Sequence, residues 1–296
     1  MSSFAILGEA LIDLRPAAHG YLAQPGGSPF NVAIGLARLG HRAEFVGRFA
    51  QDALSSILRR HAQRSGVSLE WSGEWSGPTP AAIFDLNEDG SARYEFHLGD
   101  ARESLFAESA SGAVDGVHFG SIASWMPGSG EPVLAAVARL KRAGVFVSYD
   151  PNIRGMLIRD KDDARRRVEQ AVALADLIKA SIEDLQWLYP ESGVGDVARR
   201  WLAAGARSVV VTRGGQGADS YSGDGMLHGS GEPVEVVDTV GAGDAFMAAL
   251  LDGLMGAGAG AVTQSVLDAA CAYAAATCAV PGADPPWRSS IPARTA

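Results

Sequence analysis

Short apolar runs alternate along this chain with longer stretches whose apolar residues recur at helical spacing. The predicted strands are residues 4–8, 43–47, 116–122, 144–150 and 208–212. The helical patterns between them cover residues 28–40, 53–65, 131–143 and 162–174. Strands that alternate with helices pair in parallel through right-handed crossovers. The pattern therefore predicts an α/β protein, a three-layer α/β/α sandwich around a mostly parallel central sheet.

One helix start and two helix ends carry specific signals. Ser28 followed by Pro29 predicts a helix with serine at the N-cap and proline in its first turn. Gly40 and Gly66 follow the last apolar positions of the first two helical patterns, where glycine commonly ends a helix.

One region departs from the alternation of strands and helices. Residues 11–15 and about 69–97 contain short strands with no helix between them, and the turn sequence NEDG at 87–90 joins two of these strands. This is the sequence pattern of a hairpin. We expect a single domain over residues 1–296, in which these strands form a small β-sheet lid.

Composition and charge narrow the class of protein. The chain has 296 residues, a net charge of −9 and no strongly basic stretch, which disfavours nucleic acid as a partner. The longest apolar run, residues 269–280, is shorter than the roughly 18 residues that a membrane span needs, and the N-terminus lacks a basic signal-peptide region. We expect a cytoplasmic protein without a membrane partner.

The two cysteines and six histidines offer no metal or disulfide chemistry. Cys271 and Cys278 lie seven residues apart, about 10 Å along a helix, which is too far for a disulfide. No histidine lies at a zinc-ligand spacing from another histidine or a cysteine.

The richest candidate chemistry lies in the segment DTVGAGDAF at 238–246. Glycines precede an aspartate that opens an apolar helix, and the free backbone N–H groups at a helix start bind anions. Asp244 could simply stabilise the helix by its charge in the first turn. An anion site beside a carboxylate instead suggests phosphoryl transfer with Asp244 as the base. The patterns of a P-loop, a hydrolase nucleophile elbow and a G-x-G-x-x-G dinucleotide site are absent.

The chain resembles the ribokinase-like (PfkB) carbohydrate kinases, and within them the fructokinases, along nearly its whole length. The resemblance rests on DTVGAGDAF and PGGSPFNVAIGLARLG (25–40), with further segments that look like those of fructokinases. These are GEALIDL (8–14), SYDPNIR (148–154), IKASIEDLQWL (178–188), VTRGGQGA (211–218) and PGADPPW (281–287). The resemblance implies transfer of the γ-phosphoryl group of ATP to a sugar hydroxymethyl group, with fructose giving fructose 6-phosphate.

The resemblance also implies roles for residues at the matching positions. Asp244 corresponds to the catalytic base, and Gly241, Ala242 and Gly243 to the backbone N–H groups that stabilise the transferred phosphoryl group. The positions matching the sugar-binding residues are Asp13, Gly27 and Asn31.

A second set of positions matches the nucleotide and phosphate site. Thr212, Gly214 and Gly217 correspond to a turn around the nucleotide phosphates, and Arg154 and Lys179 lie near the phosphates. Mg²⁺ is expected with ATP, and the sequence leaves activation by K⁺ open.

Three departures from the family pattern bear on the site. Ile182 stands where the family has a metal-linked glutamate, so that either Glu183 replaces it or the Mg²⁺ contact is weakened. The family's G-x-x-G-x-D-x-x-G pattern keeps only its first glycine, Gly47, and its aspartate, Asp52. Phe30 stands where fructokinases have a small residue, and it lies either in the sugar pocket or in the core.

Other functions stay open at the level of the sequence. The acceptor could instead be 2-keto-3-deoxygluconate, ribose or a nucleoside, or the protein could bind sugar or nucleotide without turnover. An NAD-dependent dehydrogenase is disfavoured by the missing dinucleotide pattern. The exposed strands of the lid favour a homodimer formed through it.

Overall fold

The structure is a computed structural model that describes residues 1–86, 92–99, 105–107, 113–258 and 260–290. The turn predicted at 87–90 lies outside these residues. Where the chain is described, no helix is long and apolar enough to cross a membrane.

The strands form a large sheet of eight strands in the order β14-β13-β12-β11-β10-β9-β1-β4. All neighbours from β4 to β12 pair in parallel, and β13 and β14 add an antiparallel edge. Its strands are β1 (Ser3–Leu7), β4 (Arg42–Val46), β9 (Gly116–Gly120), β10 (Phe146–Asp150), β11 (Leu177–Ser181), β12 (Ser208–Thr212), β13 (Ala218–Ser222) and β14 (Gly225–Gly229). The predicted mostly parallel sheet is confirmed.

Helices cover both faces of this sheet because alternate strand residues are apolar on each side. On β1, Ala5 and Leu7 belong to one buried cluster, while Phe4 and Ile6 belong to the other. The first cluster packs against α3 (Ser121–Trp125), α4 (Gly130–Arg142), α5 (Lys161–Val172), α6 (Ile182–Leu188) and α7 (Val194–Ala203). The second packs against α1 (Ser28–Arg38), α2 (Ala53–Ser65), α8 (Ala242–Gly256) and α9 (Gln264–Cys278). Three layers follow from this two-sided burial.

The ends of α1 and α2 can be compared with the ends predicted from the sequence. Helix α2 has the predicted bounds, with Asp52 as its N-cap and the left-handed Gly66 (φ 80°) after its last residue. Helix α1 begins one residue earlier than predicted: Gly27 is its N-cap, and Ser28 is already inside the first turn. Ser28 is therefore not the N-cap, and its hydroxyl bonds elsewhere, to Asp244.

A second sheet of four strands lies apart from the large one, in the order β3-β2-β7-β8. Its strands are β2 (Leu11–Ala17), β3 (Gly20–Gly26), β7 (Ala81–Leu86) and β8 (Ala92–His97). The predicted small sheet is thus present, but it also contains β3, which the sequence analysis did not assign. Strands β5 (Arg48–Phe49) and β6 (Gly73–Glu74) pair with each other instead, so the early part of the predicted 69–97 segment lies outside the small sheet.

Candidate active site

A cavity of about 440 Å³ lies between the small sheet and the carboxyl ends of the parallel strands. Open α/β sheets place their ligands at this edge. Eight residues predicted for the site line it: Asp13, Gly27, Asn31, Arg154, Lys179, Gly241, Gly243 and Asp244. The small sheet contributes further lining residues, among them Leu11, Arg15, Ala82, Phe84 and Phe96.

Asp244 lies in the first turn of α8 and is buried against the start of α1. The Ser28 hydroxyl donates to its Oδ1 at 2.7 Å, and the Asn31 amide donates to its Oδ2 at 2.8 Å. Burial raises the pKa of Asp244, and these two hydrogen bonds act in the opposite direction. A carboxylate accepts about four hydrogen bonds, so about two acceptor positions are left for a substrate hydroxyl.

The turn before Asp244 requires glycine for steric reasons. Gly241 has φ 79° and is the N-cap of α8, and a Cβ there would lie 2.5 Å from the Cβ of Ala283. Gly243 is in the first turn, where backbone N–H groups lack an intrahelical acceptor. Ala242 is not among the residues that line the cavity, and its N–H bonds to the Thr239 carbonyl at 3.3 Å.

A buried ion pair lies beside this turn. The Lys179 ammonium donates to Asp150 Oδ2 at 2.7 Å, and both side chains are almost fully buried. Burial raises the pKa of Asp150 to about 6, against the attraction of Lys179. For Lys179, burial acts to lower the pKa, but the charge of Asp150 and its hydrogen bond raise it overall, so the ammonium keeps its charge. Its Nζ lies 3.0 Å from the position of a Cβ on Gly243, and it therefore borders the predicted anion site.

Asp13 and two arginines form the side of the cavity nearest the small sheet. Burial raises the pKa of Asp13 to about 6, while Arg15 and Arg154 act to lower it. Arg15 forms a two-pronged ion pair with Asp238, with one of the two bonds at 3.0 Å, which ties β2 to the loop before α8. The pair holds the small sheet over the cavity.

Lys179 lines the cavity, whereas the other predicted nucleotide residues lie at the same sheet edge but outside the cavity lining. Thr212 is the last residue of β12 and pairs with Ser181 on β11. Gly214 and Gly217 lie in the tight turn that follows β12, and both have positive φ. A Cβ on Gly217 would lie 2.0 Å from the Gly229 carbonyl oxygen, so only glycine fits this turn.

Glu183 is exposed and does not line the cavity, so its role as a metal ligand stays a prediction. The next residue, Asp184, is buried and caps α6 together with Ser181. Asp184 also accepts a hydrogen bond from the backbone N–H of Ile153 at 2.7 Å. Among the described residues, no group of three or more histidine, cysteine or acidic side chains could hold a metal ion.

The structure shows the roles of two residues in the segments compared with the family pattern, Phe30 and Asp52. Phe30 is fully buried, and its ring packs edge-on against Phe45 and Phe49 at centroid distances of 5.2 and 6.4 Å. It is therefore a core residue and does not shape the cavity. Asp52 caps α2 and also accepts hydrogen bonds from the backbone and the hydroxyl of Thr79, which is a structural role.

Three buried carboxyl groups at or near the site were not predicted as functional: Glu9, Asp150 and Asp184. Glu9 and Asp150 follow or end strands, and Asp150 lies within a segment already quoted for the resemblance, SYDPNIR. The signal that could have found them is position, because acidic residues at the ends of parallel strands converge at one edge of the sheet.

Residues 1–289 match the pfkB family of carbohydrate kinases, and the chain belongs to this family. The fructokinase of Klebsiella pneumoniae is 36% identical over 259 residues, which cover 84% of this chain and 83% of that protein. The fructokinase of Escherichia coli is 34% identical over 265 residues, 86% of this chain and 84% of that protein.

The fold is similar to that of solved fructokinases. The structure of the Vibrio cholerae O395 fructokinase with fructose, ADP and calcium ion has a TM-score of 0.84 and 28% identity, over 96% of this chain and 95% of that chain. The Xylella fastidiosa fructokinase with bound ATP has a TM-score of 0.85 and 25% identity, over 95% of this chain and 94% of that chain. The ribokinase-like fold predicted from the sequence is confirmed.

Proposed function

We propose that this protein is a fructokinase, which transfers the γ-phosphoryl group of ATP to the 6-hydroxyl of D-fructose. The observation that carries the proposal is the placement of Asp244. Its carboxyl group lies on the cavity wall in the first turn of α8, beside Gly241 and Gly243. The fructokinase relatives support the choice of sugar.

In the proposed reaction Asp244 takes the proton of the attacking hydroxyl. The bond from the hydroxyl oxygen to the γ-phosphorus forms while the bond from that phosphorus to the β-phosphate oxygen breaks, and ADP leaves. Ser28 and Asn31 hold the two carboxylate oxygens of Asp244 in place, so the base does not have to rotate to meet its substrate.

The turn Gly241–Ala242–Gly243 and Lys179 supply the positive potential for the transferred group. Backbone N–H groups at the start of α8 and the helix dipole favour negative charge there. The buried Lys179 ammonium borders Gly243, and although it is paired with Asp150 it places positive charge beside the turn, where low exposure to solvent strengthens electrostatic stabilisation of the transition state. Of the three predicted residues, Ala242 has the weakest support, since its N–H is already bonded.

We assign the sugar to Asp13, Gly27 and Asn31, with Arg154 between the sugar and the phosphates. All four line one cavity. Carboxylate and amide groups together supply the acceptors and donors that neighbouring sugar hydroxyls need. The small sheet over the cavity limits the access of water, which is a competing phosphoryl acceptor.

We assign the nucleotide to the turn at Thr212, Gly214 and Gly217, next to Lys179 on the neighbouring strand. Mg²⁺ fits this site as an ion held by the phosphates of ATP and by water, since the described residues offer no cluster of three ligands. When bound it neutralises phosphate charge. Dependence on K⁺, a dimer through the small sheet, a cytoplasmic location and the absence of a nucleic-acid partner stay predictions.

ADP release with ATP and Mg²⁺ against fructose, ribose, 2-keto-3-deoxygluconate, adenosine and fructose 6-phosphate tests the proposal. We expect turnover with fructose to exceed that with every other acceptor. Stronger turnover with another acceptor would overturn the choice of sugar and keep the phosphoryl transfer. Binding of ATP without turnover on any acceptor would overturn the catalytic assignment.

A further inference from the structure

Glu9 is a buried carboxyl group on the cavity wall that the mechanism above does not use. It follows β1 at the carboxyl edge of the large sheet and is 1% exposed. Its Oε2 accepts a hydrogen bond from the backbone N–H of Ala123 at 3.0 Å. Within the described part of the chain, its Oε1 has no hydrogen-bond partner. Buried polar atoms are rarely left unpaired, so this one calls for an explanation.

Arg154 and Ser121 both act on Glu9, but its Oε1 is left without a hydrogen-bond partner in the described structure. Arg154 is the cation that interacts with it, but the Arg154 guanidinium is bonded to Asn152 Oδ1 at 2.7 Å and to backbone carbonyls. The Ser121 hydroxyl is also close enough to favour the ionised form of Glu9. Ser121 itself has the unusual φ of 52° and lines the cavity beside Ile122. Such strained backbone persists mainly at functional sites.

The remaining charges of the cavity define what could occupy this position. Arg15 is paired with Asp238, and Lys179 is paired with Asp150. A carboxylate or phosphate of an acceptor placed near Glu9 would face the negative charges of that group and of Asp13, which the Arg154 guanidinium offsets only in part. A neutral hydroxyl suffers no such repulsion.

We propose that Glu9 is a specificity-determining residue, whose Oε1 makes a hydrogen bond to a non-reacting hydroxyl of a neutral sugar. The inference rests on the proposed function and adds a contact to it. Burial raises the pKa of Glu9 to about 7, so near neutral pH both protonation states are populated. The ionised carboxylate accepts a hydrogen bond from the sugar hydroxyl, and this charge-assisted bond is the one that Glu9→Gln removes.

The test is Glu9→Gln, which keeps the shape of the side chain and an oxygen for the Ala123 N–H. We expect the KM for fructose to rise about tenfold or more, the usual effect of losing a hydrogen bond to a charged group, while the KM for ATP stays within about twofold. Glu191→Gln, a change at an exposed glutamate, is the control and should leave both KM values unchanged.

Monodeoxy analogues of fructose that keep the 6-hydroxyl separate a contact from a structural role. With the wild-type enzyme, one analogue should show a loss of kcat/KM about as large as the loss that Glu9→Gln shows with fructose. When Glu9→Gln is assayed with that same analogue, kcat/KM should fall little further, because the contact is already absent. Fully additive losses for every analogue, or equal rises in the KM for ATP and fructose, would overturn the inference.

A second variant and the activity of the wild type separate failure of this inference from failure of the proposed function. If thermal denaturation shows that Glu9→Gln does not fold, Glu9→Asp is the second variant, and it must show the same rise in the KM for fructose with an unchanged KM for ATP. A wild type that does not turn over fructose would defeat the proposed function. A wild type that turns over fructose with unaltered kinetics in the variant would defeat this inference alone.

Discussion

Replacing Asp244 by asparagine removes the proposed base while leaving almost everything around it in place. The amide of the new side chain can still accept a hydrogen bond from Ser28, and Asn31 can turn its own amide to present an oxygen instead of a donor. We therefore expect a folded variant in which the KM for fructose changes much less than kcat.

The expected loss is in kcat. A positioned general base contributes about 10² to 10⁴ in rate, which corresponds to about 3–5 kcal/mol of the activation free energy at about 1.4 kcal/mol for each factor of ten. Because burial raises the pKa of Asp244, the wild-type kcat should fall on the acid side at a pH above the ordinary aspartate value of 3.8.

A coupled assay of ADP release at saturating ATP and fructose measures this effect. The matched control is Asp252→Asn on the same helix, where the aspartate bonds to His41 and Arg288 away from the cavity. The control should keep its kcat, although its melting temperature should fall. An Asp244→Asn variant that retains more than a tenth of the wild-type kcat would show that Asp244 is not the base.

Three further predictions concern stability. Phe30→Ala should lower the free energy of unfolding by about 3–5 kcal/mol in urea denaturation, because it leaves a cavity beside Phe45. An unchanged stability together with a raised KM for fructose would instead place Phe30 in the sugar pocket. Asp52→Ala removes the N-cap of α2 and should cost about 0.5–2 kcal/mol with unchanged kinetics; a large loss of kcat would contradict its structural role. Burial lowers the pKa of His118 from 6.5 to about 3. Between these pH values the unfolded chain binds a proton at this histidine and the folded protein does not. The free energy of unfolding should therefore decrease as the pH falls through this range. His118→Asn should weaken this dependence in acid denaturation, while its side-chain NH2 group can still donate a hydrogen bond to the Ser148 hydroxyl. An identical pH profile in the variant would refute the prediction.

Much of the fold was predictable because its signals are local. The bounds of α2 follow from Asp52 and Gly66, which act on the backbone within a few residues. The start of α8 follows from the glycines before Asp244 for the same reason. The error at Ser28 has a tertiary cause, because its hydroxyl is drawn to Asp244, 216 residues away in the chain.

The sequence by itself therefore determined the α/β class, the small sheet and the residues of the family motifs. The family motifs are short continuous segments, and the spacing of apolar residues along the chain indicates which faces of each strand and helix are buried. It could not decide which of two environments Phe30 occupies, because a bulky apolar side chain fits either a core or a pocket wall. Only the packing of α1 against β4 and β5 places that ring in the core.

The tertiary structure also decided which charges act together. Glu9 follows β1, Asp150 ends β10 and Lys179 lies within β11, and each has ordinary surroundings in the sequence. The parallel sheet brings these positions to one edge, where burial raises the pKa of Glu9 and Asp150, and the charge of Asp150 raises the pKa of Lys179. The unpaired oxygen of Glu9 and the pairing of Lys179 with Asp150 exist only because long-range strand pairing buries these side chains at one edge of the sheet.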